Sequence, residues 1–191
     1  GQFPDNIALD TNIESLAGAA TYPMKYGYSA VGEIIDRGDE VNPDWIGKRV
    51  FSFQPHVSHF VTETSLLQVI PEGLTVEDAV FLPNLETALN FVMDGAPLIG
   101  ENVVIFGQGI VGLLTTALLA QFPLSSLITI DRYPLRRQAS LDFGADFCLE
   151  PSETKSIEQT ILELQRESYR GADLSYELTG DPKVLNLAVE I

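Results

Sequence analysis

Residues Gly107-Gln108-Gly109-Ile110-Val111-Gly112 have the spacing G-x-G-x-x-G. An apolar run, Asn102 to Phe106, leads into the motif, and a second, Ile110 to Gln121, leads out of it. Each glycine has its own task in that setting. Gly107 permits a tight turn, Gly109 lets main chain approach a pyrophosphate, and Gly112 lets a helix lie close on a strand. The start of the helix then offers unpaired N–H groups and a partial positive charge to phosphates, with Gln108, Ile110 and Val111 completing the turn. Asp131 stands 19 residues after Gly112, at the end of the next apolar run. A carboxylate there accepts hydrogen bonds from both hydroxyls of a ribose and repels a 2′-phosphate, which points to NAD rather than NADP. Arg132, Arg136 and Arg137 can pair with a phosphate and keep NADP as the alternative. The rival reading of the glycines is a bare turn in a sheet that binds nothing.

The elements that must hold this motif alternate from Thr75 onward. Thr75-Val76-Glu77-Asp78 has the form of a capping box and starts an apolar-periodic segment through Val80, Leu82 and Leu85. A strand at Asn102–Phe106, a helix at Ile110–Gln121, a strand at Leu127–Ile130 and a helix opened by Pro134 follow. A short strand at Phe147–Leu149, a helix from Ser156 to about Ser168, a strand at Asp173–Leu178 and a helix near Pro182 complete the series. Repeated β-α-β with near-continuous apolar strands predicts a parallel sheet covered on both faces. Thr179-Gly180 ends its fourth strand, at the carboxyl edge where such sheets bind ligands. Before about Pro71 the texture is β-like: Ala30–Ile35, Arg49–Phe53 and His59–Val61 are separated by Gly, Pro and Asp/Asn turns and predict a small barrel or sandwich. The expected division is 1–81 and 82–191.

Composition excludes other classes. Twenty-seven Asp and Glu against 11 Lys and Arg give a net charge of −16, so neither a nucleic-acid backbone nor an anionic membrane surface finds enough cations. Val103 to Ala120 approaches the length of a membrane span, but its glycines and its change from β-branched to Leu/Ala character predict strand, turn and helix. The single cysteine, Cys148, can form neither an internal disulfide nor a thiolate zinc site. A reducing, cytoplasmic setting is expected, and the first residues have no signal-peptide pattern.

The chain also resembles a known family. Tyr22-Pro23-Met24-Lys25-Tyr26-Gly27-Tyr28-Ser29-Ala30-Val31-Gly32-Glu33-Ile34, Gly47-Lys48-Arg49-Val50-Phe51 and Val69-Ile70-Pro71-Glu72-Gly73-Leu74 occur in the order found in the medium-chain dehydrogenase/reductases, the zinc-alcohol-dehydrogenase-like group. The helix around Glu86-Thr87-Ala88, the glycine motif and Phe143-Gly144-Ala145-Asp146 continue the likeness. The resemblance implies an α/β chain: a Rossmann-type doubly wound parallel sheet, here incomplete, preceded by part of a GroES-like β-barrel domain. It implies an active site in the cleft between the two and puts Thr87 near the nicotinamide. It further implies a fragment, lacking catalytic-domain residues ahead of Gly1 and the last strands beyond Ile191, and it leaves a homo-oligomeric parent open.

The departures from the family bear on the reaction. Zinc-dependent members carry a His ligand and a Glu directly after the glycine matching Gly27, where this chain has Tyr28 and Ser29. The further ligand position falls at Leu82 or Pro83, and the four-cysteine lobe after Gly47-Lys48-Arg49-Val50 is absent. Zinc requires Cys, His or carboxylate donors, so no metal-ligand set is expected and zinc catalysis is disfavoured. Tyr28 is then a candidate proton donor to a substrate carbonyl, with cavity filling as the alternative. Of the two histidines, His59 is the better candidate for the cleft, and surface packing is its alternative. The expected function is hydride transfer between NAD(P) and a small carbonyl, alcohol or enone substrate without zinc; the other reading is a dinucleotide-binding protein without catalysis.

Overall fold

The computed structural model describes residues 26–151 and 171–191. The expected helix from Ser156 to Ser168 and the motif residues Tyr22–Lys25 lie outside them. Two compact units divide at Phe81 and Leu82.

In the first unit β1 (Ala30–Glu33), β2 (Arg49–Ser52) and β3 (Gln68–Val69) form an antiparallel sheet in the order β1-β2-β3. Val31 faces Phe51 and Val50 faces Val69 across it. The central strand carries the core: Val50 and Phe51 are buried, and Phe51 meets Phe53 edge-on at 5.1 Å. Gly47, at φ 79°, turns the chain back so that its N–H reaches the Ile34 carbonyl at 2.8 Å.

The strand expected at His59–Val61 does not form. Ile70 is buried and donates its N–H to Arg49 O at 2.9 Å, which seats Gln68–Val69 on the edge of β2. His59, Phe60 and Val61 run past exposed, without ladder pairing. β1 likewise stops at Glu33, short of Ile35.

Thr75 caps α1 (Val76–Ala79), its hydroxyl oxygen accepting Asp78 N at 3.1 Å. The reciprocal half of the box differs from expectation, since the Asp78 carboxylate takes the Thr75 hydroxyl at 2.6 Å. The apolar segment also breaks in two. Pro83 has no N–H to donate back to Ala79, so α1 ends and α2 (Leu82–Gly95) starts afresh.

The second unit is a four-stranded parallel sheet of β4 (Asn102–Phe106), β5 (Ser126–Ile130), β6 (Phe147–Leu149) and β7 (Leu174–Glu177) in the order β6-β5-β4-β7. Helix α3 (Ile110–Leu119) links β4 to β5, α4 (Pro134–Asp142) links β5 to β6, and α5 (Pro182–Glu190) follows β7. α3 ends two residues before the expected Gln121. Strand alternation sorts the core into two faces. Val103 and Ile105 pack with Val92 of α2, Leu119 of α3, Leu127 and Tyr176, while Val104, Phe106, Ile128 and Ile130 pack with Ala188 of α5. Val103, Val104 and Ile105 are fully buried, each worth about 1.5–3 kcal/mol of apolar transfer. Part of the acidity serves the sheet: Asp173 accepts Asn102 N and Asp146 accepts Leu127 N, both at 2.8 Å, so carboxylates satisfy main-chain donors where strands begin. Among the described residues no helix is long and apolar enough to cross a membrane.

Candidate functional site

Strand order decides where the site lies. Phe106 is level with Ile130 on one side and Glu177 on the other, so the residues just beyond, Gly107, Asp131 and Leu178, meet at one edge. This is the carboxyl edge, where chain leaves the sheet in opposite directions on the two sides of β4. A pocket of about 460 Å³ opens there, lined by Phe106, Gly107, Gly109, Ile130, Asp131 and Arg132, by Tyr133, Arg136 and Pro151, and by Leu178, Thr179, Asp181, Val184 and Leu187.

The three glycines meet different surroundings. Gly107 sits at φ 91°, and a Cβ on it would press on the Leu178 carbonyl at 2.9 Å. A Cβ on Gly112 would fall on the Gly107 carbonyl oxygen, so this glycine lets α3 lie on the turn. Around Gly109 a Cβ would meet nothing within 4 Å, and this residue lines the pocket. It is also the N-cap of α3, with φ −72° and no side chain to cap the helix. The free N–H groups there thus border an open space that a phosphate can enter.

Gln108 points the other way. It is fully buried, its side-chain amide donating to Gly107 O at 3.2 Å and its amide oxygen accepting the Thr116 hydroxyl at 2.9 Å. It braces the turn from inside. Ile110 is half exposed, and neither it nor Val111 lines the pocket.

Asp131 is buried, with one carboxylate oxygen accepting Gln108 N at 2.8 Å and the other Tyr133 N at 2.7 Å. Arg136 approaches the first oxygen at 3.8 Å. A carboxylate has about four acceptor directions, so the two main-chain bonds orient it and leave capacity for hydroxyls. Arg132 and Arg136 both stack on the Tyr133 ring, at 5.0 and 4.8 Å from its centroid. Arg137, expected as a third cation for phosphate, is committed elsewhere. Its guanidinium donates to Asp131 O, Arg132 O and Glu150, and it fastens the β5–α4 turn to the end of β6.

On the opposite lip Thr179 donates its N–H at 2.7 Å and its hydroxyl to the Glu177 carboxylate, and its hydroxyl oxygen accepts Asp181 N at 3.0 Å. Gly180, at φ 70°, turns the chain into α5 and is not itself part of the wall. Asp181 caps α5 by accepting Lys183 N at 3.0 Å.

Within the second unit Thr87 is not part of this wall. Thr87 lies on α2, its hydroxyl donating back to Pro83 O at 2.9 Å. In the first unit Tyr28 is 59% exposed and His59 is exposed in irregular chain. Ser29, at the position where zinc-dependent proteins have a carboxylate, donates to Val80 O at 2.6 Å. Pro83 is buried and Leu82 half-buried. Among the described residues no three His, Cys, Asp or Glu side chains are grouped to hold a metal ion. Burial pushes the Cys148 thiol above its usual range, despite hydrogen bonds with Thr129 and Ser140, which suits packing. Tyr133, Pro151, Asp181, Val184 and Leu187 were not expected in the site. The cap-plus-proline pattern of Asp181-Pro182 is legible, but only strand order brings it opposite Asp131.

Comparison with known proteins bears on this geometry. No protein-family model matches the chain. It is 24% identical over 197 residues to (R,R)-butanediol dehydrogenase of Bacillus subtilis, spanning 89% of this chain and 56% of that protein. With D-guloside 3-dehydrogenase of Escherichia coli it shares 28% identity over 174 residues, 87% of this chain and 47% of that one. Among solved structures, an alcohol dehydrogenase from E. coli CFT073 complexed with NADH superposes with a TM-score of 0.67 at 19% identity, over 84% of this chain and 55% of that one. The chain thus spans about half the length of the curated relatives it matches.

Proposed function

We propose, from a chain that is a homologue of the zinc-type medium-chain alcohol dehydrogenases and has their GroES-like and Rossmann architecture, that the full protein is an NAD-dependent oxidoreductase acting on a small carbonyl, alcohol or enone without zinc. The observation that carries the reading is the pocket at the carboxyl edge of β4, β5 and β7. Gly109 leaves the N-terminus of α3 open there, and an oriented, buried Asp131 stands beside it.

In this reading the pyrophosphate lies against Gly107 and Gly109 at the start of α3, where oriented N–H groups compensate its charge. Asp131 accepts the adenosine ribose hydroxyls with its unused acceptor capacity. Bound nicotinamide supplies the hydride chemistry; the protein binds, orients and moves the accompanying proton. Tyr28 takes the role of proton donor to the substrate oxygen, its phenol standing where a zinc-dependent relative has an imidazole. His59 is the second candidate for that proton. Ser29 supports the zinc-free part of the reading, since its side chain is committed to the Val80 carbonyl.

The test is turnover by the full protein over a panel of aldehydes, ketones, enones and polyols, with metal analysis of the same preparation. Activity with substoichiometric zinc is expected. Tyr28→Phe should lower kcat by about 10²–10⁴ without weakening NADH binding. Binding without any turnover would favour the non-catalytic reading, and stoichiometric tightly held zinc would overturn the zinc-free one.

A further inference from the structure

We infer that Asp181 sets the base selectivity of the nucleotide pocket, its carboxylate accepting the exocyclic amino group of adenine. The inference rests on the dinucleotide reading above and goes beyond it, to which base the site selects and by which atom.

The charges of the pocket raise the question. Two guanidiniums, Arg132 and Arg136, and two carboxylates, Asp131 and Asp181, line it. A site for a pyrophosphate gains nothing from a carboxylate, which repels the anion; Asp131 is buried and needs donors, whereas Asp181 is exposed and offers its carboxylate to a donor on the ligand. Asp131 has its donors: two main-chain N–H groups hold it and the ribose hydroxyls take the rest. Asp181 spends one oxygen, Oδ1, on Lys183 N. Its second oxygen has no partner among the described residues. The adenosine end of a dinucleotide offers three donors, two ribose hydroxyls and one amino group, and only the amino group remains unassigned.

Position agrees with this. Asp131 and Leu178 lie level with Gly107 on its two sides. Neighbouring strands are spaced by roughly 4.8 Å, so the lips formed by the ends of β5 and β7 are on the order of 10 Å apart, about the span of a nucleoside. The space beyond Asp131 has an apolar wall of Ile130, Leu178, Val184 and Leu187 and, on the β5 side, the stacked Arg132 and Tyr133. Apolar surface with a guanidinium plane suits a flat heteroaromatic ring. Among the described residues Asp181 is the one acid on the rim of that slot opposite Asp131. Adenine presents an N–H donor on the edge where hypoxanthine presents a carbonyl oxygen. The carboxylate attracts the first and repels the second, which is discrimination by an unpaired acceptor.

The experiment titrates the full protein with NADH and with reduced nicotinamide hypoxanthine dinucleotide, following nicotinamide fluorescence. NADH should bind about tenfold tighter, as expected for one charge-assisted hydrogen bond at a partly exposed site. Asp181→Ser keeps a capping oxygen at α5 but withdraws the carboxylate, and should bring the two dissociation constants together by weakening NADH and relieving the repulsion of the hypoxanthine carbonyl. Asp181→Asn keeps one oxygen for the cap and turns an amide NH2, a donor, toward the slot, so it should abolish or reverse the preference, providing a reading even if the serine variant folds poorly. Equal affinities in the unmodified protein, or an unchanged ratio in both variants, would overturn the inference while leaving the dinucleotide site standing. Failure of both dinucleotides to bind would overturn the site itself and this inference with it.

Discussion

The carboxylate of Asp131 accepts the main-chain N–H of Gln108 at 2.8 Å, so the residue that follows β5 is fastened to the glycine turn that follows β4. One buried acid thereby orients the phosphate-binding turn and presents its remaining lone pairs to the pocket. Asp131→Ala should act on both functions. The loss for NADH is expected to be about ten- to a hundredfold, with a much smaller loss for NADPH, because the alanine also relieves repulsion of a 2′-phosphate. The unpaired N–H groups of Gln108 and Tyr133 should cost about 1–3 kcal/mol in denaturant titration. Equal losses for the two cofactors would contradict the ribose assignment.

Gly109 and Gly112 should separate binding from folding. Gly109→Ala adds a methyl group that meets no protein atom within 4 Å and faces the pocket. Thermal stability should be unchanged and NADH affinity should drop at least tenfold. Gly112→Ala drives the same methyl group onto the Gly107 carbonyl, and overpacking of that kind costs about 1–3 kcal/mol. A stable Gly112→Ala beside an unfolded Gly109→Ala would reverse the roles assigned to them.

Tyr176 gives a test in the core, away from the pocket. Its hydroxyl is buried and has no hydrogen-bond partner among the described residues. Burial first, then the nearby charge of Glu101, pushes its pKa up to about 12 from an ordinary value of 10.0. The folded protein keeps this proton where the unfolded chain releases it. Stability from this group is therefore complete below the unfolded value near pH 10 and is lost as pH rises from there through about 12. Tyr176→Phe preserves shape, removes the unpaired polar atom and should be neutral or stabilising by about 1 kcal/mol, with a flatter stability profile above pH 10. A large destabilisation would show that the hydroxyl has a partner in solution.

Much of the second unit was legible because local signals agree with the fold. Asn102–Phe106 is buried along its whole length and reads as an apolar run, Pro134 opens α4, and the glycines sit in turns that only their spacing permits. The first unit was less legible. His59–Val61 is as β-like in composition as Gln68–Val69, but Ile70 anchors the second segment to β2 and the first finds no edge. The site divides in the same way. Gly107, Gly109 and Asp131 are joined by neighbouring elements, whereas Asp181 reaches the pocket only because β7 lies beside β4. Thr87, carried by resemblance rather than by its own surroundings, sits on α2 with its hydroxyl turned back to Pro83.

Whether the edge of β4, β5 and β7 holds a dinucleotide is decided by fluorescence titration of the full protein with NADH. Saturable enhancement of nicotinamide fluorescence at micromolar concentration, lost in Gly109→Ala while the variant melts at the temperature of the unmodified protein, is the predicted result. No saturable binding up to millimolar NADH, or binding that Gly109→Ala leaves untouched, would show that this edge is not a dinucleotide site.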